Sequence, residues 1–278
     1  MDFAETEDQK MIREMVREFA EDIAGPTCNK RDKEQIAPIE EFKKFAELGF
    51  AGMTIPEKYG GQKLDDISEA IVVEELSRVD PSLGVMIAVH VGLCSMTIAL
   101  SGNEEQKEKY LPKLASGEFL GAYSLSEAGS GTDAAAMVAR ATDVGDYYTL
   151  NGEKMWVTNG TTADLFVLFA KVTDHPDYGK KSHGGVTCFI IEKGFEGFEI
   201  GKKEDKLGIR SSDTCTLILN ECKVPKANVL GEVGKGFPIA MNALDNSRIG
   251  IAAQGLGIAQ GAYEAALKYS KERETFGK

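Results

Sequence analysis

Near residue 119 the spacing of the apolar residues changes period, and that change limits the fold more than any other feature of the chain. Before it, Met11, Ile12, Met15, Val16, Phe19, Ala20 and Ile23 recur every three to four residues and predict a helix over residues 6–24. Pro38 opens a second helix carrying Ile39, Phe42, Phe45 and Leu48, which Gly49 closes. After a turn at Pro56, Gly60 and Gly61, either Asp66 or Ser68 caps a third helix with Ile71, Val72 and Leu76, and Asn103 with Gln106 forms a capping box for a fourth. From Phe119 on, short runs of Val, Ile, Thr, Tyr and Phe alternate with turn residues. Tyr147–Leu150 precedes Asn151-Gly152, Met155–Thr158 precedes Asn159-Gly160, and 164–172, 186–192 and 214–219 follow. A small-residue helix returns from Pro238 to Tyr269, with Ile239, Ile249, Ala253, Leu256, Ala259 and Ala266 as candidate buried positions. The expectation is an α+β multidomain chain. It has an N-terminal all-α domain (1–118), a middle antiparallel β-barrel or sandwich (119–230), and the start of a C-terminal four-helix bundle (231–278), joined by the Gly-rich linker Val229–Gly236.

Charge narrows the partners. The 278 residues carry 32 Lys and Arg against 44 Asp and Glu, a net charge of -12 that argues against nucleic-acid binding. The three regions contribute -10, -3 and +1, so the near-neutral last stretch is expected to bury more surface or to meet an anionic ligand or a neighbouring subunit. Five scattered cysteines and three scattered histidines form neither a disulfide framework nor a metal-ligand spacing, so no metal is expected. The opening Met-Asp-Phe-Ala-Glu-Thr-Glu-Asp has neither a secretory nor a transit pattern, and a cytoplasmic location is expected. Residues 81–103 contain no Asp, Glu, Lys or Arg, yet Gly84, His90, Gly92, Ser95 and Thr97 interrupt the run. A buried helix, and no membrane, is the expectation there.

Two segments carry candidate chemistry. Tyr123-Ser-Leu-Ser-Glu-Ala-Gly-Ser-Gly-Thr-Asp133 combines glycines, hydroxyls and backbone amides without a Lys or Arg, and it departs from both dinucleotide and Walker spacings. Asn151-Gly-Glu-Lys-Met-Trp-Val-Thr-Asn-Gly160 places the only tryptophan, Trp156, and the Thr158 hydroxyl on one side of a strand. A flat ring system such as a flavin suits that pairing, and so does an ordinary aromatic core anchor.

The chain resembles the acyl-CoA dehydrogenases, and within them the bacterial short-chain or butyryl-CoA type. The resemblance extends over the whole length through both segments above, Pro56-Glu-Lys-Tyr-Gly-Gly61, Lys223-Val-Pro225, Gly231-Glu-Val-Gly-Lys-Gly-Phe237 and Arg273-Glu-Thr-Phe-Gly-Lys278. It implies FAD lined by Tyr123, Leu125 and Ser126, with Trp156 and Thr158 beside the central ring. Gly131 and Thr132 would meet the diphosphate or the pantetheine arm, and Ser126 and Thr132 would also face the substrate. By the same resemblance Asp245 and Arg248 contact CoA, and Arg273 and Phe276 reach the FAD of a neighbour in a homotetramer, although Asp245 and Arg248 could equally pair with each other. The implied reaction is α,β-dehydrogenation of an acyl-CoA to a trans-2-enoyl-CoA, with electrons passed to an electron-transferring flavoprotein. Other readings are an acyl-CoA oxidase and a non-catalytic acyl-CoA or flavin-binding module. A carboxylate base is required. Some family members carry it immediately before the arginine matching Arg248, where this chain has Ser247. No base is therefore assigned within 1–278; it is expected beyond Lys278, in a continuation that would also complete the bundle, and the 1–278 chain alone is expected to be inactive.

Overall fold

The computed structural model describes residues 4–277. Thr6 and Gln9 cap helix α1 (Glu7–Phe19) reciprocally, each side chain accepting from the other's backbone N–H. The helix does not end at residue 24: a wider π-helical stretch, Ala20–Ala24, leads directly into α2 (Gly25–Glu34), where Pro26 sits harmlessly in the first turn. Helix α3 (Ile39–Glu47) follows Pro38 as expected. The cap of α4 (Asp66–Val79) is Asp65, one residue before the expected Asp66, because its carboxylate accepts the Ser68 N–H at 2.7 Å. Asp80 caps α5 (Pro81–Ala88), which continues through a second π-helical stretch, Val89–Ser95, into α6 (Met96–Ser101). Among the described residues only Pro81–Ser101 is long and apolar enough to cross a membrane, and 72% of it lies inside the fold. Asn103 and Gln106 form the expected capping box of α7 (Glu104–Ala115).

Eight strands form one sheet: β1 (Gly121–Ser124), β2 (Arg140–Asp143), β3 (Tyr147–Thr158), β4 (Leu165–Val172), β5 (Val186–Glu192), β6 (Phe198–Lys203), β7 (Thr214–Pro225) and β8 (Val229–Leu230). Their order is β6-β7-β3-β2-β4-β5-β8, with β1 also on β4. The pairings are antiparallel except that β1 and β2 both run parallel to β4, on the same edge. Gly121–Ser124 pairs with Leu165–Leu168, and Arg140 and Ala141 pair with Lys171 and Val172. Residues 125–139 therefore leave the sheet between two strand segments that lie in line.

Two expected hairpin turns are not turns between paired strands. Tyr147–Thr158 is one continuous strand, because Asn151 exchanges hydrogen bonds with Glu221 across an irregularity in β7, its amide donating at 2.7 Å and its carbonyl accepting the Glu221 N–H at 3.0 Å. Asn159-Gly160 ends β3, but β2 lies between β3 and β4. Asn159 is instead buried in a left-handed conformation, its Nδ2 donating to the carbonyls of Met86 and Gly121 at 3.1 Å each. It thereby ties the end of β3 to α5 and β1.

The last helix, α8 (Gly236–Glu272), spans 37 residues and lies along α4. Of its six expected buried positions Ala253 is buried and Ile239 half-buried, whereas Ile249, Leu256, Ala259 and Ala266 face outward. The reason is the closeness of the crossing. A β-carbon on Gly257 would stand 2.2 Å from the Glu74 carbonyl oxygen, and one on Gly261 2.0 Å from that of Arg78, so at these two inward positions no side chain fits. One continuous apolar core, including Phe45, Leu76, Met86, Ala122, Phe166 and Leu168, joins helices to sheet.

Candidate active-site cavity

The excursion after β1 is held by a buried ion pair. Glu127 and Ser130 exchange backbone hydrogen bonds at 2.9 and 3.1 Å, which folds the chain back on itself. The Glu127 carboxylate accepts the N–H groups of Val138 at 2.6 Å and Ala139 at 3.1 Å, and the Lys154 ammonium at 2.8 Å. Lys154 also donates to the Leu125 carbonyl at 3.0 Å. Glu127 is 5% exposed and Lys154 0%, and burial lowers the Lys154 pKa from its usual value against the pull of the carboxylate. Glu127 is thus the anchor of the segment.

A bulge in β3 aims the tryptophan. Lys154 pairs with Leu217 and Val157 with Cys215, so Met155 and Trp156 together oppose Thr216. Trp156 takes φ 61°, a left-handed conformation that costs a bulky residue of order 1–3 kcal/mol and persists only where its surroundings impose it. Here the Met155 N–H donates to the Ser126 carbonyl at 2.9 Å, fastening the bulge to the excursion. Lys154 and Val157 point inward while the indole is 58% exposed.

The result is a cavity of about 490 Å³. Tyr123, Leu125, Ser126, Gly131, Thr132, Trp156, Thr158 and Arg248, which the resemblance had grouped around FAD and substrate, all line it. Val89 and Leu93 from the second π-helical stretch and Met241 and Leu244 from α8 supply an apolar wall. The hydroxyls of Ser126, Thr132 and Thr158 have no hydrogen-bond partner among the described residues, which leaves them free for a ligand. No carboxylate is among the described lining residues, and the Ser247 hydroxyl donates to the Leu244 carbonyl at 3.1 Å.

Three residues that the resemblance assigns to CoA (Asp245) or to the FAD of a neighbour (Arg273 and Phe276) lie off the lining of this cavity. Asp245 is exposed and sits 3.7 Å from the Arg248 Nε. Arg273, which donates to the Tyr269 hydroxyl at 3.0 Å, and the fully exposed Phe276 lie past the far end of α8. At a rise of 1.5 Å per residue Arg273 stands roughly 37 Å along the helix from Arg248. Sequence reasoning missed Lys154, Asn159, Val89 and Leu93. Lys154 occupies an inward position of an alternating strand, a signal of a paired buried charge; for the others only the packing is informative.

Residues 6–118 match the N-terminal domain of acyl-CoA dehydrogenases, 122–222 the middle domain and 234–278 the C-terminal domain. The short-chain specific acyl-CoA dehydrogenase of Clostridium acetobutylicum is 49% identical over 278 residues, covering 100% of this chain and 72% of the relative. Among solved structures, a chain from work on the electron transferring flavoprotein of Acidaminococcus fermentans and flavin-based electron bifurcation is 50% identical with a TM-score of 0.95. The butyryl-CoA dehydrogenase of Megasphaera elsdenii is 44% identical with a TM-score of 0.94, and each of these two covers 100% of this chain and 72% of the other. An acyl-CoA dehydrogenase of Bacillus anthracis complexed with FAD is 38% identical with a TM-score of 0.90, covering 99% of this chain and 47% of that one. The chain belongs to the acyl-CoA dehydrogenase family.

Proposed function

We propose that the cavity holds FAD and a short-chain acyl-CoA, and that the protein catalyses α,β-dehydrogenation of the thioester to a trans-2-enoyl-CoA. The observation that carries this reading is the union of an outward-facing indole with three unengaged hydroxyls beside an apolar wall. That donor set fits a flat heterocycle with polar edges: Tyr123, Leu125 and Ser126 along one side, Trp156 and Thr158 along the other, and Gly131 with Thr132 toward the diphosphate. When bound, the flavin supplies the acceptor for the hydride that leaves the acyl β-carbon.

The residues of this chain bind and orient. The bulge at Trp156 fixes the indole plane before any ligand arrives, and the Glu127–Lys154 pair holds the Ser126 side of the cavity at the distance set by the Met155–Ser126 hydrogen bond. Val89, Leu93, Met241 and Leu244 exclude water around the acyl tail, which favours proton abstraction by a desolvated carboxylate. In this proposal that carboxylate comes from outside the residues lining the cavity. Asp245 and Arg248 meet the CoA portion, Arg273 and Phe276 meet the flavin of a second copy in a homotetramer, and an electron-transferring flavoprotein receives the electrons.

Anaerobic addition of butyryl-CoA to the flavin-loaded protein, in a form that includes the carboxylate this proposal places outside the cavity lining, tests the reading. Bleaching of the visible flavin band is expected, and Trp156→Ala should weaken flavin retention by about tenfold or more while leaving the melting temperature little changed, since the side chain is largely exposed. A protein that holds no flavin, or a Trp156→Ala variant that holds it as tightly as the wild type, would overturn the assignment.

A further inference from the structure

We propose that Glu69 closes the blind end of the acyl pocket and confines the protein to short acyl chains. The proposal rests on the acyl-CoA reading and adds to it a residue that sets specificity. The pocket walls are formed by residues one helical turn apart, Val89 and Leu93 on the π-helical stretch and Leu244 and Arg248 on α8. Gly92 and Ser247 sit beside these and form the seam behind the wall. A β-carbon on Gly92 would stand 2.8 Å from Glu69 Oε1 and 4.0 Å from Ser247 Cβ, and one on Gly250 would stand 3.8 Å from the same oxygen. The carboxyl of Glu69, reaching over from α4, therefore lies in the notch that two glycines leave between the π-helical stretch and α8, behind the residues that line the cavity.

Its isolation is unusual. Glu69 is 8% exposed, and none of the described residues gives its carboxyl a cation or a hydrogen-bond donor. The other buried carboxylates described are all engaged: Glu75 by Arg13 and Arg17, Asp80 by Arg31, Glu127 by Lys154, and Asp213 by Thr161 and Thr162. Burial, with the nearby Asp66 adding to it, pushes the Glu69 carboxyl up to about 7. Such a group is costly to isolate further. A thioester held beside Trp156 and Thr158 runs its tail between the apolar walls toward this seam. A short tail ends on Val89, Leu93 and Leu244. A longer one must press methylenes against a carboxyl and seal it from any remaining water without offering a hydrogen bond in return. Long chains are thus rejected by an unfavourable contact, not by lack of apolar surface.

The test compares wild type, Glu69→Ala and Glu69→Gln in the flavin-loaded protein, with crotonyl-CoA and 2-octenoyl-CoA binding measured by calorimetry and kcat/KM for butyryl-CoA and octanoyl-CoA. Glu69→Ala removes the carboxyl and opens the notch, so the preference for the short thioester should fall by about tenfold or more, chiefly through tighter binding of the long one. Glu69→Gln keeps the size, guards against loss of fold, and should fall between the two. An unchanged short-to-long ratio in both variants, or an equal loss of both thioesters as a purely structural role would give, overturns the proposal. If wild type binds neither thioester, the acyl-CoA reading falls as well; if it binds crotonyl-CoA and only the ratio fails to move, the Glu69 proposal alone falls.

Discussion

Replacing Glu127 by Ala would strand three groups at once. Lys154 would keep only the Leu125 carbonyl, and the N–H groups of Val138 and Ala139 would lose the oxygens they now reach at 2.6 and 3.1 Å. Breaking a buried ion pair from one side costs about 3–5 kcal/mol, and each orphaned buried donor about 1–3 kcal/mol. The losses overlap, since the freed space admits some water, so a net of about 5 kcal/mol is expected. That is a large fraction of the stability of any domain, and it shifts a melting temperature by about 10 °C or more. Lys154→Met leaves the carboxylate with both backbone donors and should cost less, and the double variant Glu127→Ala/Lys154→Met should recover about 2 kcal/mol relative to Glu127→Ala alone. Urea titrations followed by circular dichroism give the total. Trp156 emission, reporting from the adjacent bulge, tells whether the excursion loosens first. If Glu127→Ala lay within about 0.5 kcal/mol of wild type, or if adding Lys154→Met brought no recovery, the pair would not be what holds the excursion.

Two other perturbations follow from the packing. His90 is fully buried between the Leu114 carbonyl at 3.1 Å and the Gly121 N–H at 3.0 Å, and burial lowers it to about 4 from 6.5. Below pH 6.5 the unfolded chain takes up a proton that the native chain refuses. Stability should therefore fall by about 3 kcal/mol between pH 6.5 and pH 4 relative to a His90→Gln variant, whose profile over that window should be flatter in denaturant titrations. On α8, Gly257→Ala should destabilise by about 1–3 kcal/mol despite the better helix former, because the new carbon meets the Glu74 carbonyl oxygen. Gly255→Ala, with nothing within 4 Å, should stabilise by up to about 1 kcal/mol, and thermal melts that ranked the two the other way would refute the close crossing of α4 and α8.

Much of the helical region was legible because its signals are local. The Asn103–Gln106 box needs only three residues of separation, and the four-residue spacing through Phe19 needs only one helix. The cavity residues were legible for a different reason, since the motif carrying Tyr123, Ser126 and Thr132 and the one carrying Trp156 and Thr158 are each contiguous. Asn151-Gly152 and Asn159-Gly160 misled because the dipeptide signals a turn only when the chain has no stronger use for the Asn side chain. Here Glu221 claims the first, and the Met86 and Gly121 carbonyls claim the second.

The sequence by itself determined the change from helical to strand periodicity, several of the helices and strands, and the two segments that meet at the cavity, since period, caps and motif composition act within a dozen residues. Only the tertiary structure decided which face of α8 is inside, how a bulge turns Trp156 outward, and that the Glu69 carboxyl ends without a partner among the described residues behind the cavity wall. Those outcomes depend on how closely distant backbones approach and on which charges find each other across the fold. A glycine at 257 or a glutamate at 69 carries no mark of that in its neighbours along the chain.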